Sequence, residues 1–389
     1  MTLTRRTLAR RTLAAATLAA VAAPSLAAGP APRTPAQAKP LVIAHRGASG
    51  ERPEHTLMAY RLAIAQGADF IEPDLVITSD GHLVVRHENE IGGTTNVAKH
   101  PEFANRKRTK VIDGAKLDGW FTEDFTLAEL KTLRARERLP ALRKASAAFD
   151  GREPIVTYQE VIDLAKAESR RRGRVIGTYP EMKHPRYFAS IGLAVEARLA
   201  DALKTNGLDG PTAPVFVQCF EVEPLRTFRR YSRARRVMLV AQGPAPVDVT
   251  TAAGIKAIAA FAEGVGPEWP LVIPTTGGVL GPPTALVLNA HLAGLAVHPW
   301  TVRAENYFLP ASLKIGDLPA DRGNADAVCR ALYAAGVDGL FSDFPGLAVQ
   351  ARDLPPPLPP LLPGSAIAPT APLAKTRPAA PVKAPPARR

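Results

Sequence analysis

Cysteine is nearly missing from this chain: its 389 residues include two, Cys219 and Cys329. Both fall in segments that read as a core strand and a later helix, so a disulfide-stapled scaffold is not expected and stability must come from an apolar core. No cysteine precedes position 219, which leaves none for a lipid-modified N-terminus. Acidic residues are absent from both ends. Residues 1–40 carry six basic side chains and residues 354–389 carry five, with no Asp or Glu in either stretch. Of the formal net charge of +13, this leaves +2 on residues 41–353. The central part is nearly neutral and its charge is no nucleic-acid signature. Beyond the N-terminus no run is long and apolar enough to span a bilayer.

What is there has clear organisation. At 46% hydrophobic and 22% charged residues, the chain has material for one barrel-sized domain or two smaller ones. Residues 1–27 have the layout of an export signal: arginine pairs, an Ala- and Leu-rich run over 13–23, and "SLA" ending at Ala27. The stretch "TRRTL" at 4–8 points to the twin-arginine route, and Arg10-Arg11 repeats the pair. A periplasmic or secreted location follows, the alternative being an amphipathic anchor helix that stays attached. Residues 28–39 read as a linker. The tail, 354–389, holds 12 prolines among alanines and scattered cations; it cannot bury a core and reads as disordered, with a weak cell-envelope contact as its one expected association.

Over 40–353, short apolar runs alternate with amphipathic stretches. The runs are 41–45, 70–76, 83–87, 174–181, 215–220, 236–241, 295–300 and 339–343; helical patterns fall at 54–66, 157–170, 187–205 and 324–335. Alternation of this kind predicts an α/β fold with a parallel sheet. Eight strand candidates predict a (β/α)8 TIM barrel, with a doubly wound open sheet as runner-up. The tight Ser79-Asp80-Gly81 turn joins two candidates with no helix between them, and "GVGP" at 264–267 is a further strand candidate. Residues 92–153 lack the barrel period and read as an insertion after the third strand.

Polar residues close several of these runs, where such a barrel places its chemistry. His45 and Arg46 end the first. Glu72 and Asp74, two apart, face one side of a strand. His87 closes "LVVRH", and Glu181 with Lys183 closes "GTYPEMK". Three carboxylates suit a hard divalent cation, calcium or magnesium, better than zinc. The two histidines are then free to act as an acid and base pair. Arg46 and Lys183 supply charge for an anion, and a phosphate ester fits all the parts.

The motifs "HRGASGERPEHT" at 45–56, "EPD" at 72–74 and "VVRHE" ending at 87–88 closely resemble the glycerophosphodiester phosphodiesterase family. "FTEDFTLAELKTLRA" at 121–135, "YPEMKHP" at 179–185, "VFVQCFE" at 215–221, "VHPWTVRAEN" at 297–306 and "GVDGLFSDFP" at 336–345 are similar to its exported, periplasmic branch. The resemblance covers about residues 40–350. It implies a (β/α)8 barrel that hydrolyses glycerophosphodiesters to sn-glycerol 3-phosphate and an alcohol such as choline, ethanolamine or glycerol, using a divalent cation, calcium before magnesium. It implies His45 and His87 as the acid and base pair, Glu72, Asp74 and Glu181 as cation ligands, and Arg46 and Lys183 as phosphate binders. Phe220, Trp300 and Phe344 are expected at the substrate mouth. Attack by a neighbouring glycerol hydroxyl through a cyclic phosphate and attack by water both fit.

Two departures from the family pattern stand out. Glu88 follows the second histidine where Asp is usual, and "EIGGTTNV" at 90–97, including Asn96, replaces charged residues seen in many members. Both lie where the substrate's alcohol would be sensed. Gly47 is expected to let the backbone approach the ligand, and "PEHT" to start the next helix with Glu54 favourable to its dipole. The other readings are a phospholipase acting on intact membrane lipids, and a non-catalytic envelope-binding protein.

Overall fold

Two prolines, Pro73 and Pro180, interrupt the strands that carry the acidic residues, and the barrel is built around those interruptions. The computed structural model describes residues 39–354. The export-signal segment 1–27, the linker up to residue 38 and the tail from 355 lie outside the described residues. Among the described residues no helix is long and apolar enough to cross a membrane.

The first stave is β1 (Leu41–His45). The second is split at Pro73 into β2 (Phe70–Glu72) and β3 (Asp74–Ile77), because proline has no amide hydrogen for the ladder. β3 then turns back through β4 (Leu83–Val85), and the insertion carries the hairpin β5 (Arg108–Ile112) and β6 (Ala115–Gly119). The third stave, β7 (Gly177–Thr178) and β8 (Glu181–Met182), is broken again at Pro180. β9 (Phe216–Cys219), β10 (Arg235–Val240) and β11 (Gly264–Pro267) follow. After a small outer hairpin of β12 (Thr275–Thr276) and β13 (Val279–Leu280), the last staves are β14 (Ala296–Val297) and β15 (Gly339–Ser342).

Neighbouring staves are parallel throughout: β15 on β1, β1 on β2, β2 on β7, β3 on β8, and on through β9, β10, β11 and β14. Hydrogen bonds from the Asp338 amide to the Val297 carbonyl at 3.0 Å, from Phe341 to Pro299 at 2.9 Å and from Val302 to Phe341 at 2.8 Å close the ring. A helix follows each stave, from Leu57–Ala65 to Pro345–Asp353. The expected (β/α)8 barrel is therefore the fold.

Two expectations change in detail. The run at 83–87 is the antiparallel partner of β3, not a stave, and "GVGP" at 264–267 is the stave that completes eight. Counted around the barrel, the insertion 92–153 thus leaves the second stave and precedes the third. It is ordered and buries Phe103, Phe125, Leu130 and Leu133 in the main core. Cys219 and Cys329 are buried and unbonded, as expected.

The barrel interior is filled by Ile43, Phe70, Tyr179, Phe216, Val237 and Phe341. The Tyr179 ring stacks on Phe216 at 5.0 Å, and its hydroxyl pairs with Nδ1 of the buried His298 at 2.8 Å. Burial first, and the nearby Arg235 as well, push the imidazole of His298 down to about 4 although Asp338 opposes them. In the unfolded chain it titrates near 6.5, so the unfolded state binds the extra proton. The stability this contributes is complete above about pH 6.5 and is lost as pH falls toward 4. Urea unfolding at pH 7 and pH 4.5 should show wild type losing on the order of 2 kcal/mol more than His298→Asn. An equal loss in both would contradict this account.

Candidate active site

The staves aim their terminal polar side chains at one end of the barrel. Glu72 closes β2, Asp74 opens β3 and Glu181 opens β8. All three are buried, and each offers an oxygen within 4.8 Å of the others. The backbone bends to hold them. Arg46 adopts a left-handed φ of 59°, unusual for a side chain of its size, and its amide donates to Glu72 Oε2 at 2.7 Å. Gln218 Nε2 donates to Glu72 Oε1 at 3.0 Å, and Lys183 Nζ to Glu181 Oε1 at 2.8 Å.

Electrostatics show what the cluster needs. Burial, then the charges of Asp74 and Glu181, raise the Glu72 carboxyl well above its usual range. Burial together with Asp74 lifts Glu181 to about 7 despite Lys183 beside it. Burial also acts to raise Asp74, but Lys183, His87, His55 and Arg46 outweigh it and hold that carboxyl well below its usual range. Asp74 Oδ1 and Gln218 Oε1 are buried acceptors with no hydrogen-bond partner. Crowded, all-oxygen and partly unsatisfied, the three carboxylates fit a hard divalent cation.

His45, Arg46, Glu72, His87, Glu181, Lys183, Phe220 and Trp300 line one cavity of about 70 Å³. Of the ten candidate catalytic, cation-binding and substrate-binding residues named from sequence, Asp74 and Phe344 are not on its wall. His45 Nδ1 meets Asp343 Oδ1 at 2.6 Å; His87 pairs through Nδ1 with Glu88, and its Nε2 lies 3.2 Å from Lys183 Nζ. Burial and then Arg46 push His45 down to about 4. Burial, Arg46 and Lys183 push His87 down to about 3. Both imidazoles are neutral at neutral pH in the ligand-free protein. Phe220 and Trp300 meet edge to face at 5.5 Å at the mouth.

Several sequence expectations are corrected. Phe344 does not line the cavity; it is buried against Gly50, whose added Cβ would lie 2.2 Å from the ring. Gly47, at φ +87°, serves the approach of the first helix rather than of a ligand, since a Cβ there would come within 2.8 Å of Ala59. Glu88 and the 90–97 segment are not on the cavity wall. Asn96 accepts the Arg134 amide at 2.7 Å. The "PEHT" stretch is not helical: Thr56 caps a helix that starts at Leu57. Glu54 is buried against Arg46 and Arg138, and His55 Nε2 holds Asp74 Oδ2 at 2.9 Å, so both support the site.

Other residues were missed. Asp343 ends a strand run, and the rule that found His45 and His87 applies to it equally; Gln218 is the lone polar residue inside the apolar run 215–220. Thr301 and Arg303 on the wall, and Arg138 and Arg143 behind it, come from irregular segments with no period to mark them.

Comparison with known proteins follows the same lines. The model of the "Glycerophosphoryl diester phosphodiesterase family" matches residues 45–347. The glycerophosphodiester phosphodiesterase GDPD6 of Arabidopsis thaliana is 35% identical over 353 residues, covering 85% of this chain and 90% of its own. The glycerophosphodiester phosphodiesterase of Haemophilus influenzae is 29% identical, covering 82% and 91%. Among solved structures, an Oleispira antarctica phosphodiesterase in complex with the product sn-glycerol-3-phosphate shares the fold with a TM-score of 0.52 at 21% identity, covering 81% of this chain and 98% of its own. With the match spanning the barrel from its first stave to its last helix, this chain belongs to the glycerophosphoryl diester phosphodiesterase family.

Proposed function

We propose that this protein is an exported, divalent-cation-dependent glycerophosphodiester phosphodiesterase that releases sn-glycerol 3-phosphate and an alcohol. The observation that carries the reading is the cavity itself, where two carboxylate-held histidines, two cations and Glu72 and Glu181 of the acidic triad share one phosphate-sized space. The family membership and the product bound to the Oleispira antarctica relative support it.

Arg46 and Lys183 bind the non-bridging phosphate oxygens. Glu72, Asp74 and Glu181 hold the cation, calcium before magnesium, which supplies Lewis-acid stabilisation of charge on phosphorus-bound oxygen. One histidine takes the proton of the attacking oxygen, and the other gives a proton to the departing alcohol oxygen. Each ring is held at Nδ1 by a carboxylate, which leaves Nε2 as the working atom. Burial holds His87 low and the Arg46 and Lys183 charges lower it further; a bound phosphodiester anion offsets those two charges and so raises the ring's proton affinity. Phe220 and Trp300 give the apolar flank of the mouth.

Purified protein with calcium should release glycerol 3-phosphate and choline in equal amounts from glycerophosphocholine. Turnover of phosphatidylcholine vesicles with none of the soluble diester would overturn the reading in favour of a phospholipase. For export, residues 1–40 fused to a reporter should carry it across the membrane, and Arg5→Lys with Arg6→Lys, in a fusion also lacking the Arg10-Arg11 pair, should block it. The tail's weak envelope contact should disappear on deletion of 354–389 with turnover unchanged.

A further inference from the structure

The insertion reaches the site through two arginines, and each grips the carboxylate that grips a histidine. Arg138 sets Nη1 and Nη2 on Glu88 at 3.1 and 2.6 Å, and Nε and Nη2 on Glu54 at 2.8 and 2.7 Å. Glu88 in turn holds His87. Arg143 donates Nη2 to Asp343 Oδ2 at 2.5 Å, Nε to Glu305 Oε1 at 2.6 Å and Nη1 to the Ser49 carbonyl at 3.0 Å. Asp343 in turn holds His45.

The chain between the two arginines is itself fixed. The amides of Leu142 and Arg143 both donate to the Leu139 carbonyl at 2.9 Å. The buried Glu137 accepts from the Leu139 amide at 2.8 Å and from the Ser146 hydroxyl at 2.5 Å. Neither arginine and neither orienting carboxylate lines the cavity, so each reaches a substrate only through a wall residue: the histidines first, and beside them Arg46 by way of Glu54 and Arg303 by way of Asp343.

We propose that residues 138–143 act as a positioning strap: Arg138 sets the ring of His87 through Glu88, and Arg143 sets the ring of His45 through Asp343. This rests on the reading of those histidines as the proton-transfer pair. Glu88 has one more rotatable bond than the aspartate usual in the family, so its carboxylate needs an outside hold. A planar guanidinium fork, which binds both oxygens at once, supplies it. Partners of this kind fix ring orientation and tautomer without touching the substrate.

The test is a double-mutant cycle on glycerophosphocholine hydrolysis, with wild type, Arg138→Gln, Glu88→Gln and the double variant, each checked by thermal melting. Arg138→Gln should lower kcat about 10- to 100-fold with KM nearly unchanged, and the double variant should be no slower than Glu88→Gln alone. Arg138→Lys, which keeps the charge but not the fork, should recover only part of the loss. Losses that multiply in the double variant, or a rise in KM at preserved kcat, would overturn the strap. Removing Arg143 takes the cation from the buried Glu305 and leaves Asp343 with Arg303, so that arm uses Arg143→Lys against Asp343→Asn, with the same expected pattern. His45→Ala and His87→Ala in the same assay separate the two levels. Activity surviving in either sinks the proton-transfer reading and the strap with it. Inactivity there, with Arg138→Gln at wild-type kcat, sinks the strap alone.

Discussion

Replacing His87 with alanine lowers kcat for a soluble glycerophosphodiester by about a thousandfold, and replacing His45 does the same. The size follows from what each ring does in the site. His87 lines the cavity with its Nδ1 held by Glu88 and its Nε2 beside Lys183, and His45 lines it with Nδ1 held by Asp343. On the proposed mechanism alanine removes the proton-transfer group at that position, and the carboxylate left beside it, Glu88 or Asp343, is tied to arginine and does not replace it. Loss of fold does not account for the effect. Without His87, Glu88 keeps Arg138; without His45, Asp343 keeps Arg143 and Arg303. Coupled detection of glycerol 3-phosphate, alongside melting curves, measures both quantities. A variant within tenfold of wild type at unchanged KM would remove that histidine from the chemistry.

Glu72→Gln should produce the second large effect, and its sign depends on the cation. Without a divalent ion, the substitution relieves like-charge crowding and keeps an acceptor for the Arg46 amide or Gln218, so the melting temperature stays level or rises. With calcium present, wild type gains RT ln(1 + [L]/Kd), about 2.7 kcal/mol at a hundredfold excess over Kd. The variant forfeits most of that gain. Activity should fall at least about a hundredfold with it, because one of the three proposed oxygen ligands and a unit of charge are gone. Melting curves with and without calcium, plus calorimetric titration, read the two effects separately. Equal calcium shifts in wild type and variant would place the cation elsewhere.

The barrel was legible because a closed parallel sheet buries its staves on both faces and writes them as short apolar runs between amphipathic helices. The same property led the 83–87 run to be counted as a stave. The run at 83–87 is apolar because β4 is buried between β3 and the helices Tyr158–Arg172 and Val195–Thr205, and nothing in its composition separates a hairpin partner from a stave. The stave Gly264–Pro267 was weakly marked because half of it is glycine, needed where an added Cβ at Gly266 would come within 2.7 Å of Leu239. At the site, a polar residue closing an apolar run is conspicuous, so His45, Glu72, His87 and Glu181 stood out. Glu54, His55, Arg138 and Arg143 sit in irregular chain, where a residue bound for the interior looks like any surface charge.

Arg143 meets Asp343 across 200 positions of sequence, and Arg138 meets Glu54 across 84. Contacts of such range form only after the intervening loops have closed. The proton-handling geometry is therefore among the last things this chain acquires as it folds. A ribosome must release nearly the whole barrel before His45 has its partner, so incomplete chains and early intermediates carry a hydrolase's residues without its arrangement.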